Sequence, residues 1–363
     1  AQRRLPNPVR VHRTQGSLSD NGGCSTRSCG RAEGMDVQPI GGTTTSRIPR
    51  SAGVTDMTST DHSVYIGSVA LPNPVMAASG TVGHGAELAA YIDLSDLGAV
   101  VVKSLSAEPW PGNPAPRLHG TAAGMINAVG LQNPGLDSWI TNDLPRLLDH
   151  GARVVVSIWG RSIAEYREAA YRLAGVDGIT AMEVNVSCPN LEEKGDMFSH
   201  APDTCRAAVE ASLVAGLPIW AKLSPNVTDI VPIARAALDG GAEALTLTNT
   251  VLGMVIDTET RRPLLGNGGG GLSGPAIRPV AVRAVFDVYA ALGPTPIIGV
   301  GGVAAAEHVV EFMSAGASAI QVGTAHFADP KASRRILRDL ERWCRRRSVI
   351  SVRSLTGAAH ESE

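Results

Sequence analysis

Apolar residues in this chain come in short runs, most of which stop at a polar residue or a glycine. VMAA begins near residue 75, AVVVK ends at Lys103, RVVVSI starts at 153, AMEVNV at 181, PIWAKL at 218, EALTLT at 243, PIIGV at 296 and AIQV at 319. Most runs are β-branched and lack the alternation of a half-solvated sheet, as expected of strands covered on both faces. Between them lie amphipathic helical patterns: SIAEYREAAYRLAG over 162–175, TCRAAVEASLVAG over 204–216 and VTDIVPIARAALDGG over 227–241. PAIRPVAVRAVFDVYAALG and AAEHVVEFMSAGA do the same before the last two runs. The pattern predicts an α/β fold of eight β–α units, a (β/α)₈ barrel, with an open doubly wound sheet as the alternative. SVYIGSVALPNPV, from residue 63, predicts a short hairpin leading into the first core strand.

Residues 1–58 break the pattern. SLSDNGGCSTRSCG and PIGGTTTSRIPRSAG have no apolar periodicity, and such sequence buries too little surface to offset the entropy of ordering it. The expectation is a disordered or non-native extension at 1–58, a barrel domain over 59–345 and a polar C-terminal tail over 346–363. Cys24 and Cys29 are two thiols without further ligands, and no metal is expected there.

Composition narrows the picture a little. A chain of 363 residues, 44% of them hydrophobic, is long enough for one barrel or two smaller domains. A formal charge of -2 gives no reason to expect nucleic-acid binding. Five cysteines in this length describe no disulfide framework, so reduced thiols in a cytoplasmic protein are expected. No stretch approaches the roughly 20 apolar residues that span a bilayer, and the first residues lack the apolar core of a secretory signal.

In a barrel, functional residues gather at the C-terminal ends of the strands. Lys103, Asn185, Lys222, Asn249 and Gly301 all stand at or just after the ends of apolar runs. NVSCPN at 185–190 places Ser187, Cys188 and two asparagines on one loop. A thiolate there can accept a proton or act as nucleophile, and paired amides suit a small polar ring; the bland alternative is a core cysteine. Lys103 and Lys222 are long cations able to hold anions or an electron-rich ring, although a lone lysine often only reaches for solvent. INAVGLQNPG at 126–135 reads as a long connection without a helix, and offers Asn127, Gly130 and Asn133 for recognition. TNT at 248–250 adds short polar groups.

The phosphate signal has three parts: GLSGP at 271–275 before a helix, GVGGV at 299–303 after the seventh run and VGTA at 322–325 after the eighth. Glycines let backbone N–H groups approach an anion, and the loops after strands seven and eight are a recurrent phosphate site in barrels. A phosphorylated metabolite fits such a site as well as a cofactor does. GGGGLSG at 268–274 is neither a P-loop nor a dinucleotide fingerprint, so NAD binding by this chain itself is not expected.

NPVMAASG, VVKSLS, INAVGLQNPG, EVNVSCPN, AKLSPNVTDI, TNT, GGLSGPA, PIIGVGGV and VGTA occur here in the order found in dihydroorotate dehydrogenases. The chain resembles that family over about residues 63–330. The resemblance implies FMN, its phosphate at Gly274, Gly301, Gly302, Gly323 and Thr324, and flavin contacts from Ser79, Lys103, Ser104, Asn185, Lys222 and Thr248. It implies substrate contacts from Lys103, Asn127, Ala128, Val129, Gly130, Leu131, Asn185, Asn190, Asn249 and Thr250. Cys188 matches the catalytic base of the soluble class, where the membrane-associated class has a serine. The absence of an N-terminal membrane-binding helix agrees with the cysteine. KGDMF, KLSPNVTDI and NTVLGMVIDTETRRP look more like the NAD⁺-linked subclass, whose barrel homodimer pairs with a subunit carrying FAD and a [2Fe–2S] cluster. One departure is Ser157, where the family commonly has an asparagine facing the flavin; a serine there would alter flavin affinity or potential, or leave room for water. The rival readings are a fumarate-linked homodimer, an FMN barrel acting on a related pyrimidine such as uracil, and a non-enzymatic phosphate-binding barrel.

Overall fold

In the computed structural model, which describes residues 60–187 and 197–361, the eight apolar runs become eight parallel strands. They are β1 (Val75–Ala77), β2 (Val100–Val101), β3 (Val154–Ile158), β4 (Ile179–Asn185), β5 (Ile219–Leu223), β6 (Ala244–Leu247), β7 (Ile297–Val300) and β8 (Ala319–Val322). Each pairs with its sequence neighbours, and β8 closes on β1 through Ile320 opposite Val75 and Val322 opposite Ala77. The expected barrel is therefore present, and closure leaves it no open edge. β3, β5, β6, β7 and β8 are buried at every residue, which is why they read as unbroken apolar runs.

The helices fall where the amphipathic patterns placed them, usually shortened at the ends. Ile163–Leu173 starts on Ser162, whose hydroxyl accepts from the Glu165 N–H at 3.3 Å while the Glu165 carboxylate accepts from the Arg161 N–H at 2.7 Å. Its buried residues Tyr166, Ala169, Ala170 and Leu173 keep the i, i+3, i+4, i+7 spacing of one face. The predicted hairpin pairs Val64–Ile66 with Val69–Leu71 and buries alternate residues. It is tied to the N-terminal end of β6, because the Ser68 N–H and hydroxyl both donate to Glu243 at 2.7 Å.

Two features depart from the sequence reading. The INAVG connection is partly a strand: Gly124–Asn127 lies between Leu118–Thr121 and Gly270–Ser273 in a four-stranded antiparallel sheet completed by Val251–Gly253. The glycine-rich strands carry little β-propensity, and although Leu118–Thr121 and Gly124–Asn127 form a local hairpin, the pairing with Gly270–Ser273 joins segments far apart in the sequence, so local pattern could not reveal the whole sheet. After the last helix, Ala332–Arg346, the segment expected as a polar tail packs back on the barrel domain. Val352 is fully buried, Leu355 nearly so, and Arg353 pairs with Asp61 at 2.8 Å. Residues 1–59, which include the whole of the expected extension, lie outside the described residues. Among the described residues no helix is long and apolar enough to cross a membrane.

Packing between barrel and helices is tight enough to test. Phe312, fully buried on the helix Ala306–Ser314, sits over Gly299 of β7, where an added Cβ would meet its ring at 2.5 Å. Phe312→Ala is expected to cost about 3–5 kcal/mol and Gly299→Ala about 1–3 kcal/mol in urea unfolding. In the double variant the two losses should fall short of their sum, because removing the ring gives the new methyl group room. Additive losses would mean that ring and glycine do not share one packing site.

Candidate active site

The C-terminal ends of the strands open into a cavity of about 440 Å³. Ser79 follows β1, Lys103 and Ser104 follow β2, Asn185 ends β4, and Lys222 lies within β5. Thr248, Asn249 and Thr250 follow β6, Gly301 and Gly302 follow β7, and Gly323 and Thr324 follow β8. All of these line the cavity, as do Asn127, Ala128, Val129, Gly130, Leu131 and Gly274 from the antiparallel sheet and its continuations. Cys188 and Asn190 lie outside the described residues, which stop at Ser187 and resume at Met197. The cavity lining also includes Ser187 of the NVSCPN motif and Ser273 of GLSGP, together with Thr81, Leu118, Met125 and Phe327, which no motif singled out.

One corner is built from backbone. Gly274, Gly301 and Gly302 take positive φ of 94°, 138° and 73°, the region that favours glycine. At Gly302 there is no room for a side chain either, since an added Cβ would meet the Gly274 carbonyl oxygen at 2.8 Å. Beside them the Thr324 hydroxyl donates to Ser273 Oγ at 2.8 Å. Crowded main chain with few bulky groups is the arrangement that brings N–H donors close to an anion.

Another part of the lining is polar and largely buried. Lys222 is 6% exposed, and its ammonium donates to Ser79 Oγ at 3.1 Å. A run of hydrogen bonds then crosses four elements. Asn249 Nδ2 donates to Asn185 Oδ1 at 3.3 Å, and Asn185 Nδ2 donates to Ser104 Oγ at 3.2 Å. Ser104 and Ser157 hydroxyls meet at 2.9 Å, and Ser157 donates to Glu183 Oε1 at 3.3 Å. Because Ser157 spends its proton on the carboxylate, Ser104 must donate to Ser157, and every donor in the run points towards Glu183. A carboxylate, which only accepts, ends such a run naturally. Gln321 Nε2 donates to its other oxygen at 2.8 Å, and Lys222 Nζ lies 3.8 Å from Oε1. Glu183, Ser157 and Gln321 are fully buried beneath the cavity and do not line it.

Motif reading overlooked Glu183 and Gln321. The available signal was a charged or amide side chain inside an otherwise apolar run, in AMEVNV and AIQV. Ser157, expected at the cavity face, instead stands one layer behind Ser104. The hydroxyls of Thr248 and Ser187 are buried at the cavity and find no hydrogen-bond partner within the described residues. Among the described residues no group of three or more His, Cys, Asp or Glu side chains could hold a metal ion.

Fold and site together define a (β/α)₈ barrel with a cavity at its C-terminal face, lined by a glycine-built corner and a buried lysine. Comparison with known proteins specifies the family: residues 63–343 match the model for dihydroorotate dehydrogenase, and the chain belongs to the dihydroorotate dehydrogenase family. It is 51% identical over 300 residues to the catalytic subunit of dihydroorotate dehydrogenase B (NAD(+)) of Desulforudis audaxviator (strain MP104C), covering 82% of this chain and 97% of that protein. Identity to the protein of the same name from Geobacter sp. (strain M21) is 48% over 299 residues, with 82% and 98% covered. That from Alkaliphilus metalliredigens (strain QYMF) is 46% identical over 303 residues, with 83% and 100% covered.

A buried histidine stands just beyond the glycine-built corner. His326 follows Thr324 on a short helix, donates its backbone N–H to the Gly323 carbonyl at 2.9 Å and pairs through ring Nε2 with Ser333 Oγ at 2.7 Å. Burial pushes its pKa down from 6.5 to about 4, so the ring is neutral at pH 7. The folded-state value lies below the unfolded one, so the unfolded chain takes up the proton first as pH falls. The stabilising contribution is complete above about pH 6.5 and is lost towards pH 4, at up to about 1.4 kcal/mol per pH unit. His326→Gln should flatten that part of the acid limb when urea midpoints are measured from pH 7 to pH 4. An unchanged slope would mean that His326 takes up its proton at the same pH folded and unfolded, so that burial does not lower its pKa.

Proposed function

We propose that this chain is an FMN-dependent enzyme that oxidises (S)-dihydroorotate to orotate in pyrimidine biosynthesis and passes the electrons through a partner subunit to NAD⁺. The observation that carries the reading is a single cavity joining a glycine-built anion corner to a wall of lysine and asparagine side chains. These residues fit FMN. Gly274, Gly301, Gly302, Gly323 and Thr324 would hold its phosphate. Ser79, Lys103, Ser104, Asn185, Lys222 and Thr248 would hold its ring, and the buried Thr248 hydroxyl, without a partner in the described polypeptide, is a group a polar ring can satisfy.

FMN, when bound, supplies an acceptor for the hydride that leaves substrate C6. Cys188 takes the C5 proton, so that both hydrogens depart and the C5–C6 double bond forms. Lys103 holds the substrate carboxylate. Asn127 to Leu131, Asn185, Asn190, Asn249 and Thr250 hold the ring amides and fix the two carbons in register with base and acceptor. Lys222 provides a buried positive charge where negative charge grows on reduction.

The names of the relatives, each an NAD(+)-linked catalytic subunit, support the same acceptor here. Their designation as catalytic subunits supports a further subunit; in the reading proposed here that subunit carries FAD and a [2Fe–2S] cluster and joins a cytoplasmic barrel homodimer. The fumarate-linked reading predicts turnover with fumarate in the absence of any such subunit.

An anaerobic visible spectrum of the purified chain tests the half-reaction: a flavin band that bleaches on addition of dihydroorotate is expected. A band that does not bleach would redirect attention to a related pyrimidine, and a colourless protein after reconstitution would overturn the reading. In Cys188→Ala the flavin should stay bound while its reduction slows by about 10²–10⁴-fold. Reduction at the unaltered rate, followed by anaerobic stopped-flow absorbance, would remove Cys188 from the mechanism.

A further inference from the structure

Glu183 is the only acidic side chain on the eight barrel strands, and it is fully buried. A buried carboxylate is costly unless paired and hydrogen-bonded, and this one is both. Its Oε1 lies 3.8 Å from the Lys222 ammonium and accepts from Ser157 at 3.3 Å, while its Oε2 accepts from Gln321 at 2.8 Å. The two members of the ion pair sit on opposite sides of one wall. Lys222 lines the cavity; Glu183 stands behind it, out of reach of any ligand.

We propose that Glu183 is a positioning residue that offsets the Lys222 charge and thereby keeps the reduction potential of the flavin low enough for electrons to leave it. The inference rests on the reading of the cavity as an FMN site. A lysine beside a group that gains negative charge on reduction favours the reduced form, and strongly so in a dry site of low effective dielectric. Left alone, that cation would make reduction by substrate easy and onward transfer hard. The carboxylate behind it cancels part of the field while leaving the ammonium in place to orient the ligand. Fixing the carboxylate through Ser157 and Gln321, on two other strands, makes the compensation permanent. The run of hydrogen bonds from Asn249 through Asn185, Ser104 and Ser157 ends on Glu183 and ties its position to the groups that line the cavity.

The test is the midpoint potential of bound flavin, measured by dye equilibration on the FMN-loaded chain. Glu183→Gln keeps shape and hydrogen-bonding capacity but removes the charge. It should raise the potential by at least the equivalent of a tenfold change in the oxidised-to-reduced equilibrium, about 30 mV for a two-electron couple. Reduction by dihydroorotate should remain, and reoxidation by an acceptor of lower potential should slow. Glu183→Asp, which keeps the charge but withdraws it by one methylene, should shift the potential less in the same direction, and it reads the effect should the glutamine variant not retain flavin. Unchanged potentials in the FMN-loaded variants, whatever the loss of stability, would reduce Glu183 to a structural role and overturn the inference. A wild-type chain that takes up no FMN would overturn the reading of the site, and this inference with it.

Discussion

A parallel strand covered on both faces has almost nowhere to place a polar side chain except its end. That constraint organises this molecule. Closing eight such strands into a ring satisfies the backbone hydrogen bonds and commits most inward and outward positions to apolar packing. Polar residues are therefore driven to the rims, and at the C-terminal rim the strand ends converge on one cavity. Lys103, Asn185, Thr248, Gly301 and Gly323 are far apart in the chain and adjacent in the site because the barrel leaves them that one location.

Rim residues alone would make an open dish. The antiparallel sheet formed by Leu118–Thr121, Gly124–Asn127, Val251–Gly253 and Gly270–Ser273 gives the dish a side. Its register sets Asn127 opposite Gly271, and Asn127 Nδ2 donates to the Gly271 carbonyl at 3.2 Å. The pairing joins the excursion after β2 to the excursion after β6. The side of the cavity from Asn127 to Leu131 and from Asn249 to Thr250 thus depends on one ladder whose paired residues lie at least 144 positions apart in the sequence. Glycine at 270 and 271 is required by contact: an added Cβ would meet the Asn127 carbonyl oxygen at 2.4 Å or Thr250 Oγ1 at 2.0 Å.

These facts explain what could be read from the sequence. Strands buried on both faces announce themselves as apolar runs, and the residues that end them were nearly all recognisable as the rim. The antiparallel sheet was not legible, because Gly270, Gly271 and Gly124 carry no strand signal and the pairing is decided by distant partners. Glu183 and Gln321 were hidden for the opposite reason: each sits in a run so apolar that the run was read as structure alone. The polar tail expected beyond residue 345 overlooked Val352 and Leu355, two apolar residues in a short stretch with no periodicity to flag them. Cys188, which the NVSCPN motif offers as the base, lies outside the described residues.

Ser157 shows how the two layers depend on each other. It stands where the family resemblance leads one to expect an asparagine at the flavin, yet its hydroxyl bridges Ser104, which lines the cavity, and Glu183, which does not. A hydroxyl has one proton to give. Giving it to the carboxylate fixes the direction of Ser104, then of the Asn185 amide, then of Asn249. The orientation of groups that face a ligand is thus set from below, by a charge the ligand never touches. Networks of this kind strengthen one another in a low-dielectric interior, and changes at their two ends do not add. A shorter side chain at 157 is therefore not simply a contact withdrawn from the cavity; it is the link through which the buried carboxylate reaches the site.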